Sequence, residues 1–268
     1  MTAPLWIDGA FGLPGNLWLL LAGVWGACLG SFLNVVIHRL PRKESLIRPG
    51  SHCPQCGAAV RSRDNVPVLG WLLLKGRCRD CSVSIPPRYP LVELLGAVCV
   101  LTALLTSGDW PSAVLRSLLL LTMVAVFFID LDHQLILDVM TLPGTVIGLV
   151  VAPWIGTSRL DALIGAVAGG LLLEGLRRAW LRFRGVDGLG GGDVKLAMCL
   201  GAWLGWQGVA MTFLFGSLVG TIVGLILVGR GKADGTTLLP YGVFLAPAAM
   251  VVTVAGPAIW AWYFGLVS

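Results

Sequence analysis

Charge is the scarcest thing in this chain. Asp, Glu, Lys and Arg together make up 12% of its 268 residues, against roughly 25% in a typical soluble domain. Hydrophobic residues make up 56%, and the mean hydropathy is +0.85. That balance excludes an ordinary water-soluble globule. Strand-type alternation of apolar and polar residues is also missing, which argues against a transmembrane β-barrel. No Lys or Arg precedes the first apolar run, so a cleaved signal peptide is not expected. Internal repeats and low-complexity linkers are absent as well. No G-x-G-x-x-G segment follows a strand and opens a helix, so no dinucleotide-type cofactor fold is indicated.

What remains is a set of long apolar runs bounded by Pro, Gly and charge. Runs of about 20 apolar residues span a bilayer as helices. We expect an all-α polytopic membrane protein with about eight transmembrane helices, near 17–37, 90–107, 111–130, 138–156, 160–180, 193–205, 207–229 and 239–264. The sixth is short, so the sixth and seventh can form one bent unit. Ten of the 19 basic residues lie between Arg39 and Arg88, and four more lie in "RRAWLRFRG", Arg177 to Arg184. With eight helices, these and Lys195, Arg230 and Lys232 fall on one side, and only Arg116 and Arg159 on the other. Lys and Arg mark the cytoplasmic side, so both termini are expected outside. A nucleic-acid binder would also be basic, but here the charge flanks apolar spans. Topology explains it, and the expected surroundings are membrane lipid rather than nucleic acid.

The one long polar segment, 38–89, carries "CPQCG" (Cys53, Cys56) and "CRDC" (Cys78, Cys81), 21 residues apart. Each C-x-x-C aims two thiolates at one point, and two pairs complete a closed tetrahedral zinc site. Two disulfides are the alternative, and a reducing cytoplasm favours zinc. A loop of this length has little core of its own, so a metal staple suits it. Cys28, Cys99 and Cys199 lie inside apolar spans and are expected to pack as small hydrophobes.

Acids near the membrane edge form the second constellation. An acid at bilayer depth is costly, so its presence points to function. Asp193 follows "GLGGG" and opens an apolar run, while "FFIDLDHQLILD" holds Asp130, Asp132 and Asp138. Two facing aspartates on different helices would share one proton. One could then act as a general base on water while the other polarises a peptide carbonyl. Asp130 ends an apolar run and is the more buried candidate for partnership with Asp193. Asp132, followed by His133 and Gln134, has the plainer reading of a solvated acid, and Asp138 of a helix start. Glu174 precedes Arg177 and Arg178 at ion-pair spacing. The glycines before Asp193 (Gly188, Gly190, Gly191 and Gly192) either let a substrate backbone approach or form a plain flexible loop.

These segments, in order, resemble the type IV prepilin peptidases. The likeness runs from about Gly26 to about Pro247. It includes "GSFLNVVIHRLP" (30–41), "SHCPQCG" (51–57), "DNVPVLGWLLLKGRCRDC" (64–81), "PRYPLVELLGA" (87–97), "FIDLDHQLILD" (128–138) and "GGGDVKLAMCLGAWLGWQ" (190–207). The resemblance implies that Asp130 and Asp193 are the catalytic pair of a GxGD-type aspartic protease, and that Cys53, Cys56, Cys78 and Cys81 bind structural zinc. It implies an enzyme of the bacterial inner membrane, with the cysteine loop and both aspartates on the cytoplasmic side. Such an enzyme cleaves the short basic leader of type IV prepilins or type II secretion pseudopilins after a glycine. It then methylates the new N-terminus with S-adenosylmethionine.

The implied domains are 1–37, an N-terminal segment with the first helix; 38–89, the zinc-binding, methyltransferase-associated loop; and 90–268, the peptidase domain with about seven helices. Gly190, Gly191 and Gly192 become candidates for substrate entry. Two residues depart from the family's usual pattern: Leu137 and Val243 stand where proline is common, and both changes read as conformational. An ion-coupled transporter, with acids beside broken helices, and a non-enzymatic pilus-assembly scaffold fit the composition too. Neither accounts for the ordered match.

Overall fold

The computed structural model describes residues 7, 14–185, 189–232 and 239–267. Among them, regular structure is helical, with only two isolated β-bridges, His52–Ala59 and Arg77–Ser84. The helices are α1 (Gly15–Arg39), the short α2 (Leu69–Leu73), α3 (Arg88–Thr106), α4 (Trp110–His133), α5 (Asp138–Val151), α6 (Arg159–Arg184), α7 (Gly191–Gly229) and α8 (Gly242–Val267). Every expected span coincides with a helical segment.

Six of these segments are separately long and apolar enough to cross a membrane: Gly15–Arg39, Arg88–Thr106, Trp110–His133, Asp138–Ile155, Gly191–Gly229 and Gly242–Tyr263. Two things separate this figure from the eight expected spans. Helix α6 is long, but Arg159, Asp161, Glu174 and Arg177 interrupt its apolar stretch. Helix α7 absorbs both the sixth and the seventh span. At 39 residues it would measure about 58 Å if straight, against a hydrocarbon core of ~30 Å. It is not straight, because Gly205 breaks it with φ 71° and ψ 178°. Many large apolar side chains point outward along these helices, among them Leu20, Trp25, Leu171, Leu214 and Leu225. Water would penalise such a surface, and lipid covers it. The protein is a multi-pass membrane protein.

The chain divides into two compact units, at Ala125/Val126 within α4. In the first, α1 packs on α3. Buried Leu104 and Ala113 meet Trp18, Leu19 and Trp110 there, and the rings of Trp18 and Trp110 stand edge-on at 5.4 Å.

In the second unit α7 packs against α5, α6 and α8. Its closest neighbour is α6. A Cβ on Gly165 would lie 2.5 Å from the Gly205 carbonyl carbon and 2.6 Å from Gly201 O, so only glycine lets the two backbones meet. Small residues serve this purpose in membrane helices, where packing rather than water drives association. Side chains near the break at Gly205 bond neighbouring carbonyls. The Thr157 hydroxyl donates to Trp203 O at 3.2 Å, and Trp203 Nε1 donates to Gly144 O at 2.8 Å. A backbone group without such partners costs several kcal/mol in lipid.

Two glycines of α6 should therefore respond oppositely to the same change. Gly165→Ala overpacks the interface and should cost about 1–3 kcal/mol. Around Gly175 nothing lies within 4 Å of an added Cβ, so Gly175→Ala should stabilise by roughly 0.5–1 kcal/mol. Thermal melting of the purified protein in detergent would read both.

Candidate active site and cysteine cluster

The four loop cysteines come together in the first unit. The sulfurs of Cys53, Cys56, Cys78 and Cys81 all lie within 4.8 Å of one another, and Cys53 Sγ is 3.8 Å from Cys81 Sγ. Four sulfurs each ~2.3 Å from one ion in a tetrahedron would stand about 3.8 Å apart, so the cluster has the dimensions of such a site. None of the four is in a disulfide in this structure.

Each C-x-x-C sits in the same kind of turn. Cys53 N donates to Ala58 O and Gly57 N to Cys53 O, both at 2.9 Å; Cys78 N donates to Val83 O at 2.8 Å and Ser82 N to Cys78 O at 3.0 Å. Gly57 and Ser82, each next after the second cysteine of its pair, have positive φ values of 73° and 58°. The backbone N–H groups of Cys56 and Gln55 pull the Cys53 thiol down to about 7. The Cys81 thiol, despite the N–H that Val83 donates to it, is pushed up to about 12 by burial and by hydrogen bonds to the other sulfurs. Four thiols this close do not ionise together unaided, and a divalent cation removes the conflict.

The rest of the loop is tied by polar contacts. Arg79 grips Asp64 with two bonds, Nε to Oδ2 at 2.7 Å and Nη2 to Oδ1 at 2.5 Å. This pairing holds the Asp64 carboxyl below its ordinary range. Trp71 Nε1 donates to Ile85 O at 3.0 Å, and Glu93 Oε2 accepts from Val68 N at 2.6 Å. Of the remaining cysteines, Cys99 and Cys199 are buried as expected, whereas Cys28 is exposed.

The acid constellation belongs to the second unit. Asp130 (4% exposed) and Asp193 (8% exposed) are both buried. Each also has one carboxylate oxygen oriented by a backbone N–H at the start of a helix. Val243 N, in the first turn of α8, donates to Asp130 Oδ2 at 3.0 Å. Gly190 N, just before α7, donates to Asp193 Oδ2 at 3.1 Å. Helix starts leave several N–H groups without intrahelical partners, and an acid three residues into a helix commonly takes up such a donor.

The other acids have different surroundings. Asp132 is exposed. Asp138 opens α5 and holds Lys195 Nζ between its two oxygens at 2.7 and 2.6 Å. Glu174 takes up the local ion pairs, 3.3 Å to Arg177 and 2.7 Å to Arg178.

The glycines before Asp193 differ from one another. Gly188 lies outside the described residues. Gly190 has φ −65° and ψ 142°, ordinary extended backbone, and around Gly191 nothing lies within 4 Å of an added Cβ. Gly192 is the most hemmed in, since its Cβ would fall 2.8 Å from Ile136 Cβ, and a Cβ on Gly190 would lie 3.1 Å from Asp193 Oδ2.

The two departures from the family pattern also differ. Leu137 is extended (φ −83°, ψ 128°) directly before α5 begins at Asp138, so it keeps the helix boundary that a proline would impose. Val243 corrects the expectation that its change is only conformational. Its N–H is the donor to Asp130, and proline has no N–H to give. Reasoning from the sequence alone also missed Ile136, Gly242 and the Tyr241 hydroxyl, which bonds Ser217 Oγ at 2.8 Å. No local spacing connects them to the acids.

Comparison with known proteins gives the family. Residues 24–107 match the bacterial peptidase A24 N-terminal domain, and residues 117–225 match the type IV leader peptidase family. A prepilin leader peptidase/N-methyltransferase of Aeromonas salmonicida is 39% identical over 98% of this chain and 99% of its own length. Proteins of the same name from Stutzerimonas stutzeri (38%, over 91% of this chain and 93% of theirs) and Pseudomonas aeruginosa (37%, over 87% and 89%) are also similar. No solved structure gives a significant match. On the family match and on identity over nearly its full length, the chain belongs to the type IV leader peptidase family.

Proposed function

We propose that this protein is an aspartic endopeptidase of the bacterial inner membrane. It cleaves the basic leader of type IV prepilins or type II secretion pseudopilins after a glycine at the cytoplasmic face. It then methylates the new N-terminus, with S-adenosylmethionine as the methyl donor. The observation that carries the reading is the pair of buried carboxylates, Asp130 and Asp193, on two separate helices and each oriented by a backbone N–H. The names of the relatives support the substrate class and both activities. The basic residues gathered on one side of the expected topology support the cytoplasmic orientation.

In this reading the two carboxylates share one proton. The ionised one takes a proton from water as the oxygen attacks the scissile carbonyl, and the protonated one hydrogen-bonds the carbonyl oxygen. Collapse of the tetrahedral intermediate returns a proton to the departing amine. The glycines at 190–192 form the entry for the substrate backbone. Residues 1–37 supply the first helix, and residues 90–268 the peptidase domain. Residues 38–89 form the methyltransferase-associated loop, with zinc on Cys53, Cys56, Cys78 and Cys81 as a structural staple.

Asp130→Asn and Asp193→Asn nearly preserve shape while removing the proton chemistry. Each should lower cleavage of a purified prepilin at least about 100-fold, with the protein still folded by its melting curve. Asp132→Asn should stay active, and a dead Asp132→Asn beside an active Asp130→Asn would reassign the pair. Mass spectrometry of a co-expressed prepilin would report the cut position and the added methyl group together.

The zinc assignment has its own readout. The purified protein should carry one zinc ion per chain by elemental analysis. Chelation, or Cys53→Ser with Cys78→Ser, should release the metal and open the 38–89 loop to proteolysis.

A further inference from the structure

One side chain, Ile136, lies against a glycine beside each of the two acids. Ile136 lies in the 134–137 connection between α4 and α5 and is 8% exposed. On one side its Cβ would be 2.8 Å from a Cβ on Gly192, the residue before Asp193. On the other its Cδ1 would be 3.1 Å from a Cβ on Gly242, and that same Cβ would lie 2.8 Å from Asp130 Oδ2. Neither glycine has a positive φ, so both are glycine for room and not for conformation. Ile136 takes the room at Gly192, and it shares the room at Gly242 with the Asp130 carboxylate.

The connection is held at both ends. Gln134 N donates to Asp130 O at 2.8 Å, and the Asp138–Lys195 ion pair ties the start of α5 to the first turn of α7. Ile136 is therefore a fixed wall of the site rather than a loose loop residue.

A peptide bond held by both carboxylates would lie beside the side chain that touches the glycine next to each of them. We propose that Ile136 is the specificity-determining residue of the site. Its branched side chain sets the size limit for the substrate residue before the scissile bond, which leaves glycine as the residue that fits. The inference rests on the peptidase reading above and adds to it the group that enforces the choice. Exclusion by size is the appropriate mechanism here, since glycine offers no side chain to bind and can be selected only by rejecting larger residues.

The test compares two prepilins, with Gly or Ala before the cut, on the full-length protein in detergent. The readout is the ratio of their cleavage rates. A pocket that discriminates one methyl group does so by about 10–200-fold. Ile136→Ala should raise the Ala-to-Gly ratio at least about tenfold, and Ile136→Leu, of equal volume, should not raise it. Ile136→Val carries the same test with a smaller deletion and should shift the ratio in the same direction, should Ile136→Ala fail to fold. A folded Ile136→Ala, or in its place Ile136→Val, that cuts with the wild-type ratio overturns the inference while leaving the peptidase intact. A wild-type protein that cuts neither substrate overturns the peptidase reading itself.

Discussion

The second unit is organised around the cost of placing two carboxylates inside an apolar fold. A buried acid with no hydrogen-bond partner is strongly unfavourable, and two in one unit compound the penalty. The structure meets that cost with helix starts. The first turn of α8 reaches Asp130 through Val243 N–H, and the residue just before α7 reaches Asp193 through Gly190 N–H. Both donors would otherwise lack intrahelical partners. The same two bonds that make burial tolerable also fix the orientation of the carboxylates.

That arrangement demands close backbone approach, and glycine supplies it. Gly242 admits the Asp130 carboxylate, Gly192 admits Ile136, and Gly165 admits α7 itself. Membrane helices gain little from hiding apolar surface from one another, because lipid is as apolar as leucine. Contact therefore rests on shape. The break at Gly205 turns a helix too long for one straight crossing, and the Thr157 hydroxyl satisfies the Trp203 carbonyl beside it.

The first unit solves a different problem. Its polar loop has few buried apolar residues, so its order comes from two matched C-x-x-C turns and a set of polar ties such as Arg79–Asp64. The turns aim four sulfurs at one point without help from a core. This is chemistry of local backbone geometry, and so it could be read directly from the spacing of Cys53, Cys56, Cys78 and Cys81.

Legibility followed the range of the interaction. Composition and apolar run length determined the all-α membrane class and the helical spans, because a bilayer sorts segments by hydropathy alone. The cysteine spacing determined the cluster, and the edge of an apolar run marked Asp130 and Asp193 as the acids worth attention. Only the tertiary structure decided what surrounds those acids. Val243 is 113 residues from Asp130, and no periodicity links Ile136 to Gly192 or Gly242. It also decided how crowded each glycine is: Gly192 most, against Ile136, Gly190 less, against the Asp193 carboxylate, and Gly191 not at all. The physical reason is that a side chain's local pattern reports which face of a helix it occupies. Which backbone N–H or methyl group arrives opposite depends on how separate helices pack.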